Sequence, residues 1–300
     1  MIAVAGRNVR VATTKSSPGS LPLFFFNGIG ASLELIRGFA DEMGTLGIGI
    51  VIFDVPGTGG SSAPSSPYRL SWLAKLANDV LNRLGIDGQV DVCGVSWGGA
   101  LAQEFTHRYP ERVRRLLLAA TSAGAVSIPG RLSVLSKLFS RRRYADPNYM
   151  AHIGGEIYGG KVRGNAKLMH QYMEFLRPPN AVGYFLQLLA LVGWTSAHWL
   201  RTLRQPTLVM TGTDDPIIPV LNGRLLAKLI PHARLVKIED GHLFLLTSAR
   251  ECGPIIAQFL NDRSPERKQH MLKWRSLLGR VFKASKSRLR SISKTPRSSP

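Results

Sequence analysis

The stretch Val90-Asp91-Val92-Cys93-Gly94-Val95-Ser96-Trp97-Gly98-Gly99-Ala100 constrains this chain most, because a β-branched run breaks into Gly-x-Ser-x-Gly and then turns helical. A serine hydroxyl is a poor nucleophile at neutral pH. To react it must stand clear of the backbone, within reach of a base and beside amides that can receive an oxyanion. A sharp strand-to-helix turn meets all three needs. Gly94 and Gly98 lack a Cβ, so strand and helix can approach closely around a strained serine, and Gly99 and Ala100 keep the helix start thin. The bare pattern also arises by chance in a chain with 30 glycines, so context decides. Residues 90–93 suit a buried parallel strand and residues 100–108 a helix, which is the setting a nucleophile elbow requires.

Three hundred residues with 44% hydrophobic content are enough for one large core with an inserted subdomain. Two cysteines, Cys93 and Cys252, are too few for a disulfide framework and point to a reducing compartment. The first twenty residues lack the layout of a secretory signal, and the longest apolar run, near residues 184–194, is about half a membrane span. The expectation is a soluble cytoplasmic protein. The net charge of +20 is unusual for one, and half of it lies after Asn261, where twelve Lys and Arg face only Asp262 and Glu266.

In chain order, strands are expected at residues 8–13, 21–26, 48–53, 90–93, 113–119, 207–210 and 234–238. Helices are expected at 33–43, 68–84, 100–108, 221–229 and 248–260. Such alternation makes an α/β protein with a mainly parallel sheet, helices on both faces and active loops at the carboxyl ends of the strands. Between residues 123 and 204 the alternation gives way to helices with scattered aromatics, read as an inserted helical cap. The organisation is core 1–122, cap 123–204, core 205–261 and basic tail 262–300. Glycine spacing near Gly28 and Gly57 misses the dinucleotide fingerprint, and no Walker or His-Glu-x-x-His pattern occurs, so neither cofactor nor metal is expected.

With Ser96 as nucleophile, an α/β-hydrolase arrangement needs an acid and then a histidine further along. Of seven histidines, His242 in Asp240-Gly241-His242 follows a strand end, where a flexible Gly241 would let the ring reach the elbow. Asp214 and Asp215 compete for the acid. Asp215 is preferred because Pro216 holds its neighbour extended and inward, which leaves Asp214 to solvent. The oxyanion hole needs two amides: Trp97, directly after the serine, and Ile29, in the loop Asn27-Gly28-Ile29-Gly30 that ends the first core strand. Gly28 and Gly30 are expected to permit a turn there that side chains would obstruct.

These residues carry a resemblance. Phe26-Asn27-Gly28-Ile29-Gly30-Ala31, Phe53-Asp54-Val55-Pro56-Gly57, Gly94-Val95-Ser96-Trp97-Gly98-Gly99-Ala100-Leu101-Ala102-Gln103, Asp214-Asp215-Pro216 and Asp240-Gly241-His242-Leu243-Phe244 resemble the intracellular poly(3-hydroxyalkanoate) depolymerases of the medium-chain-length type. The likeness covers residues 8–260. It includes Ile157-Tyr158-Gly159-Gly160 and Gly193-Trp194-Thr195-Ser196-Ala197-His198-Trp199-Leu200 in the cap. It implies Ser96, Asp215 and His242 as triad and ester hydrolysis of a storage polyester to 3-hydroxy acids or oligomers. A carboxylesterase or carbon–carbon bond hydrolase acting on a small apolar substrate is the alternative. A non-catalytic granule- or nucleic-acid-binding protein is a second.

The expected partner is a polyester granule or a small ester, with the granule surface as a further location. Met271, Leu272, Trp274, Leu277, Leu278, Val281 and Phe282 recur near helical spacing among Lys273, Arg275, Arg280 and Lys283, as in a basic amphipathic helix that lies on an anionic or apolar surface. From Ser285 onward the composition predicts disorder. No nucleic-acid partner is expected, since the body carries no motif for one.

Overall fold

Ile2–Val4 (β1) pairs with Arg7–Val9 (β2) as a hairpin whose turn places Ala5 and Gly6 at positive φ. Val11–Thr13 (β3) leaves that hairpin for the edge of a second sheet. The single strand expected over 8–13 is divided at Arg10. Its carbonyl accepts the Asp54 amide in line with the pairing of Val11 with Phe53, but its amide donates to Ser61 Oγ at 2.9 Å instead of to a strand carbonyl, and the ladder is interrupted there. The computed structural model describes residues 1–138, 146–175 and 180–262. The amphipathic helix and disordered end expected in the tail lie outside the described residues.

The second sheet continues through Leu23–Phe26 (β4), Ile50–Phe53 (β5), Val90–Val95 (β6), Val113–Ala119 (β7), Thr207–Gly212 (β8) and Ala233–Ile238 (β9). Among the described residues its order is β3-β5-β4-β6-β7-β8-β9, with β3 antiparallel and the others parallel. Leucine, phenylalanine and isoleucine runs fit such a sheet because both of its faces are covered. Phe24 and Phe26 point to one side and meet Phe105, while Phe25 points to the other and meets Phe39. Each is buried, and burying one aromatic ring contributes about 1.5–3 kcal/mol.

Helices close both faces. Arg37–Thr45 (α1), Leu70–Arg83 (α2) and Trp97–Arg108 (α3) precede β7, and Val220–Leu229 (α8), Phe244–Thr247 (α9) and Ala249–Asn261 (α10) follow β8. α2, α3 and α8 pack against one face, α1 and α10 against the other. The helix expected from residue 33 starts as a 3-10 turn, Leu33–Ile36, with the Leu33 amide held by Asp54 Oδ1 at 2.9 Å.

Between β7 and β8 lie Leu132–Leu138 (α4), Pro147–Tyr158 (α5), Ala166–Phe175 (α6) and Ala181–Leu191 (α7). Val134, Met150, Ile153, Ile157 and Met169 give α4 to α6 a core of their own, to which Ile217 from the β8 loop is added. A lone bridge between Gly124 and Thr195 ties the two ends of this segment together. Its aromatics divide: Tyr158 and Trp199 are buried, whereas Phe185 is 61% exposed.

Candidate active site

Ser96 separates β6 from α3 with φ 54 and ψ −120, a left-handed geometry that an L-residue adopts only under constraint. The constraint is visible. A Cβ on Gly94 would come within 2.3 Å of the Gly98 carbonyl oxygen, and one on Gly98 within 2.1 Å of the Phe26 oxygen. Strand β6, helix α3 and the end of β4 therefore meet backbone to backbone. The Ser96 amide donates to the Ala119 carbonyl at 2.9 Å and its carbonyl accepts Thr121 Oγ1 at 2.7 Å, which hold the turn from both sides.

Asp215 lies in the loop after β8 with its side chain buried. Its Oδ2 is 2.8 Å from His242 Nδ1, and its Oδ1 accepts the amides of Ile217 and Ile218, each at 2.9 Å. Both carboxylate oxygens are committed, so the imidazole meets a fixed partner. Asp214, one residue earlier, is exposed. It accepts the Gly160 amide at 2.8 Å and pairs with Arg163 at 2.9 Å.

The loop after β9 presents His242. The His242 amide donates to the Tyr158 carbonyl at 2.7 Å, fastening the loop to α5. Gly241 is required there for contact rather than for flexibility, because a Cβ would sit 2.0 Å from that same carbonyl oxygen. Asp240 anchors the loop from below. It accepts Ser248 Oγ and Thr247 Oγ1, each at 2.6 Å, and the amides of Lys161 at 2.8 Å and Gly241 at 2.7 Å. Burial alone would raise its pKa, but these donors outweigh burial and hold the carboxyl below the usual carboxylate range. A depressed folded-state pKa stabilises the fold above the unfolded value, and the contribution fades as pH falls through the folded value. Asp240→Ala should therefore cost on the order of 3 kcal/mol at pH 7. In urea denaturation across pH 3 to 7 the gap to wild type should narrow on the acid side; a gap of constant size would refute the account.

The loop 27–30 lies over the elbow. Gly30 takes a left-handed φ of 68, whereas Gly28 does not; a Cβ on Gly28 would merely touch Ser96 Cβ at 3.8 Å. Only Gly30 answers the expected need for a turn that side chains obstruct. Asn27 braces the loop by donating Nδ2 to the Ser32 carbonyl at 2.9 Å. Trp97 opens α3, so its amide is among those at a helix start with no intrahelical acceptor.

Ser96, His242 and Ile29 line one cavity of about 120 Å³, with Asp215 behind the histidine. The rest of the lining is largely apolar, including Leu35, Phe39, Tyr158, Tyr172, Leu243 and Leu246. Sequence reasoning named none of these as site residues. Tyr158 had a signal, since it lies in one of the quoted cap motifs. Leu35 and Phe39 read only as the buried face of a helix. Among the described residues no His, Cys, Asp and Glu cluster could hold a metal ion, and no helix is long and apolar enough to cross a membrane.

A parallel sheet with a strained serine between its central strand and a helix, and an Asp–His pair on loops after later strands, defines an α/β-hydrolase. The α/β hydrolase fold family model matches residues 22–249, and the chain belongs to that family. Within it, the chain is 48% identical over 264 residues to the poly(3-hydroxyalkanoate) depolymerase of Ectopseudomonas oleovorans, covering 88% of this chain and 93% of that protein. The resemblance read from the motifs is borne out. Among solved structures, the enol-lactonase from Burkholderia xenovorans LB400 superimposes with a TM-score of 0.73 at 20% identity, covering 87% of this chain and 99% of that one. The meta-cleavage product hydrolase from Pseudomonas fluorescens IP01 gives 0.71 at 18% identity, covering 88% and 97%. Both show the shared fold.

Proposed function

We propose that this hydrolase is a poly(3-hydroxyalkanoate) depolymerase using a Ser-His-Asp triad. The observation that carries the chemistry is that Ser96 and His242 share one apolar cavity while Asp215 holds the other side of the imidazole at 2.8 Å. The identity to the Ectopseudomonas oleovorans depolymerase supports the substrate class. Ser96 Oγ attacks the ester carbonyl as His242 takes its proton, and the tetrahedral oxyanion rests on the amides of Ile29 and Trp97. The C–O bond then breaks, and the alcohol end of the polymer leaves with the proton from His242. Water repeats the cycle on the acyl-enzyme and frees the 3-hydroxy acid. Asp215 orients the ring and stabilises the imidazolium. An apolar cavity favours an alkyl side chain on the acyl unit, since each methylene buried contributes about 0.8 kcal/mol.

On this reading the enzyme works inside the cell at the granule surface, with the basic segment after Asn261 as the anchor, a role supported by its composition. Purified protein should release 3-hydroxy acids or short oligomers from emulsified medium-chain polyester, read by chromatography. Removal of everything after Asp262 should leave turnover of a soluble ester unchanged and weaken granule binding. Rapid hydrolysis of soluble esters with no release from polymer would instead make it a small-ester carboxylesterase.

A further inference from the structure

Helix α7 buries one polar side chain beside Leu186 and Ala190, which pack into the core. Gln187 is 1% exposed, in a helix that is otherwise apolar through its middle. Its Oε1 accepts the Gly30 amide at 2.9 Å, and its main-chain carbonyl accepts the Trp97 indole Nε1–H at 2.8 Å. Gly30 follows Ile29, and Trp97 follows Ser96. A single residue, far from both in sequence, thus holds the two segments whose amides flank the nucleophile.

We propose that Gln187 is a positioning residue that sets the Ile29 and Trp97 amides at the separation a tetrahedral oxyanion needs. The inference rests on the reading of Ser96 as nucleophile and of those amides as its oxyanion donors. Three observations carry it. First, the Gly30 N–H is a donor, so the side-chain oxygen must face it, and Nε2 is left with no hydrogen-bond partner among the described residues. A buried amide with an unmet donor is a poor packing group compared with Leu or Met. What its oxygen holds accounts for its presence.

Second, α7 is seated with little play. A Cβ on Gly57 would come within 2.6 Å of Gly183 Cα, and one on Gly183 within 2.3 Å of the Gly57 oxygen. Helix and loop touch main chain to main chain one turn before Gln187, so the amide is delivered from a fixed platform. Third, the loop is braced at its ends by other groups, through the Asn27 bond to Ser32 and the Asp54 bond to Leu33. Gln187 takes the middle, where Ile29 stands.

Oxyanion donors act through placement. Losing one costs about a hundred- to a thousandfold in turnover, and a shift of about 1 Å costs on the order of a hundredfold. Gln187→Met keeps the volume and removes the acceptor. Hydrolysis of p-nitrophenyl octanoate, with active sites titrated by the burst, should then show kcat per active site lower by about 10- to 100-fold and KM within about twofold. Inhibition by an alkyl trifluoromethyl ketone, whose hemiketal oxyanion occupies the same hole, should weaken in step with kcat. Trp97→Phe removes the second bond and should show the same split with a loss of about 3- to 10-fold.

A Gln187→Met protein with wild-type kcat per active site would overturn the proposal. So would a loss confined to KM or to the fraction of active sites, which is what a packing role produces. If Gln187→Met does not fold, Trp97→Phe decides by the same criteria. Failure of the underlying reading looks different: wild-type protein would then neither turn over the ester nor take a fluorophosphonate on Ser96.

Discussion

Ser96→Ala should leave a folded protein that hydrolyses neither soluble ester nor polymer above background. The substitution removes one oxygen from the cavity wall and leaves the backbone problem unchanged, because alanine at φ 54 is strained as serine is. The hydrogen bonds that hold the turn come from the main chain of residue 96 and from Thr121, and they survive. Melting temperature should therefore stay close to wild type while turnover drops by about a millionfold, the scale at which a serine hydrolase loses its nucleophile. Fluorophosphonate labelling should vanish with it. Retention of more than about a thousandth of wild-type turnover would remove Ser96 from the role, since what the oxyanion hole and binding provide without a nucleophile is far smaller than the full rate.

Much of the fold and of the candidate site is legible in the sequence, for a physical reason. The strands β4 to β8 are buried almost throughout, so they appear in the sequence as apolar stretches, unbroken in Leu23–Phe26 and Ile50–Phe53 but carrying Asp91 in β6 and Arg114 and Arg115 in β7, and the residues directly after them mark the loops where chemistry collects. Val113–Ala119 matches its expected span because Leu116, Leu117, Leu118 and Ala119 form an apolar run after the Arg114-Arg115 pair. Elements held by particular bonds were less legible. The division at Arg10 depends on a hydroxyl fifty-one residues away, and the 3-10 start at Leu33 on a carboxylate twenty-one residues away. Neither partner can be inferred from local periodicity.

The same limit applies to Gln187. In sequence it is one polar letter in Ala-Val-Gly-Tyr-Phe-Leu-Gln-Leu-Leu-Ala-Leu, and its partner Gly30 is 157 residues distant. The usable signal was the misfit itself, one amide in an otherwise apolar run. Gly241 shows the converse error. A glycine beside a histidine suggests freedom of movement, whereas the chain needs it to pass under the Tyr158 carbonyl. Glycine counts are readable from sequence; the atoms they make room for are not.

The choice between Asp214 and Asp215 rests on adjacent letters, and substitution separates them sharply. Asp215→Asn should cut kcat by about ten-thousandfold with KM nearly unchanged. The geometry says why. Oδ1 accepts two amides, from Ile217 and Ile218, so an asparagine at 215 must keep its oxygen there and turn its NH2 toward His242 Nδ1. A donor facing Nδ1 requires that nitrogen to be unprotonated, which places the ring proton on Nε2. An imidazole in that tautomer cannot take the proton of Ser96. The fold should be preserved, because the amide replaces the carboxylate almost isosterically. Asp214→Asn removes only an exposed pair with Arg163, of a kind worth at most about 1 kcal/mol, and turnover should stay within about twofold of wild type. The measurement is kcat on a soluble ester for both variants beside wild type. Reversed effects would shift the acid by one residue, and near-wild-type turnover in both would remove the carboxylate from the mechanism.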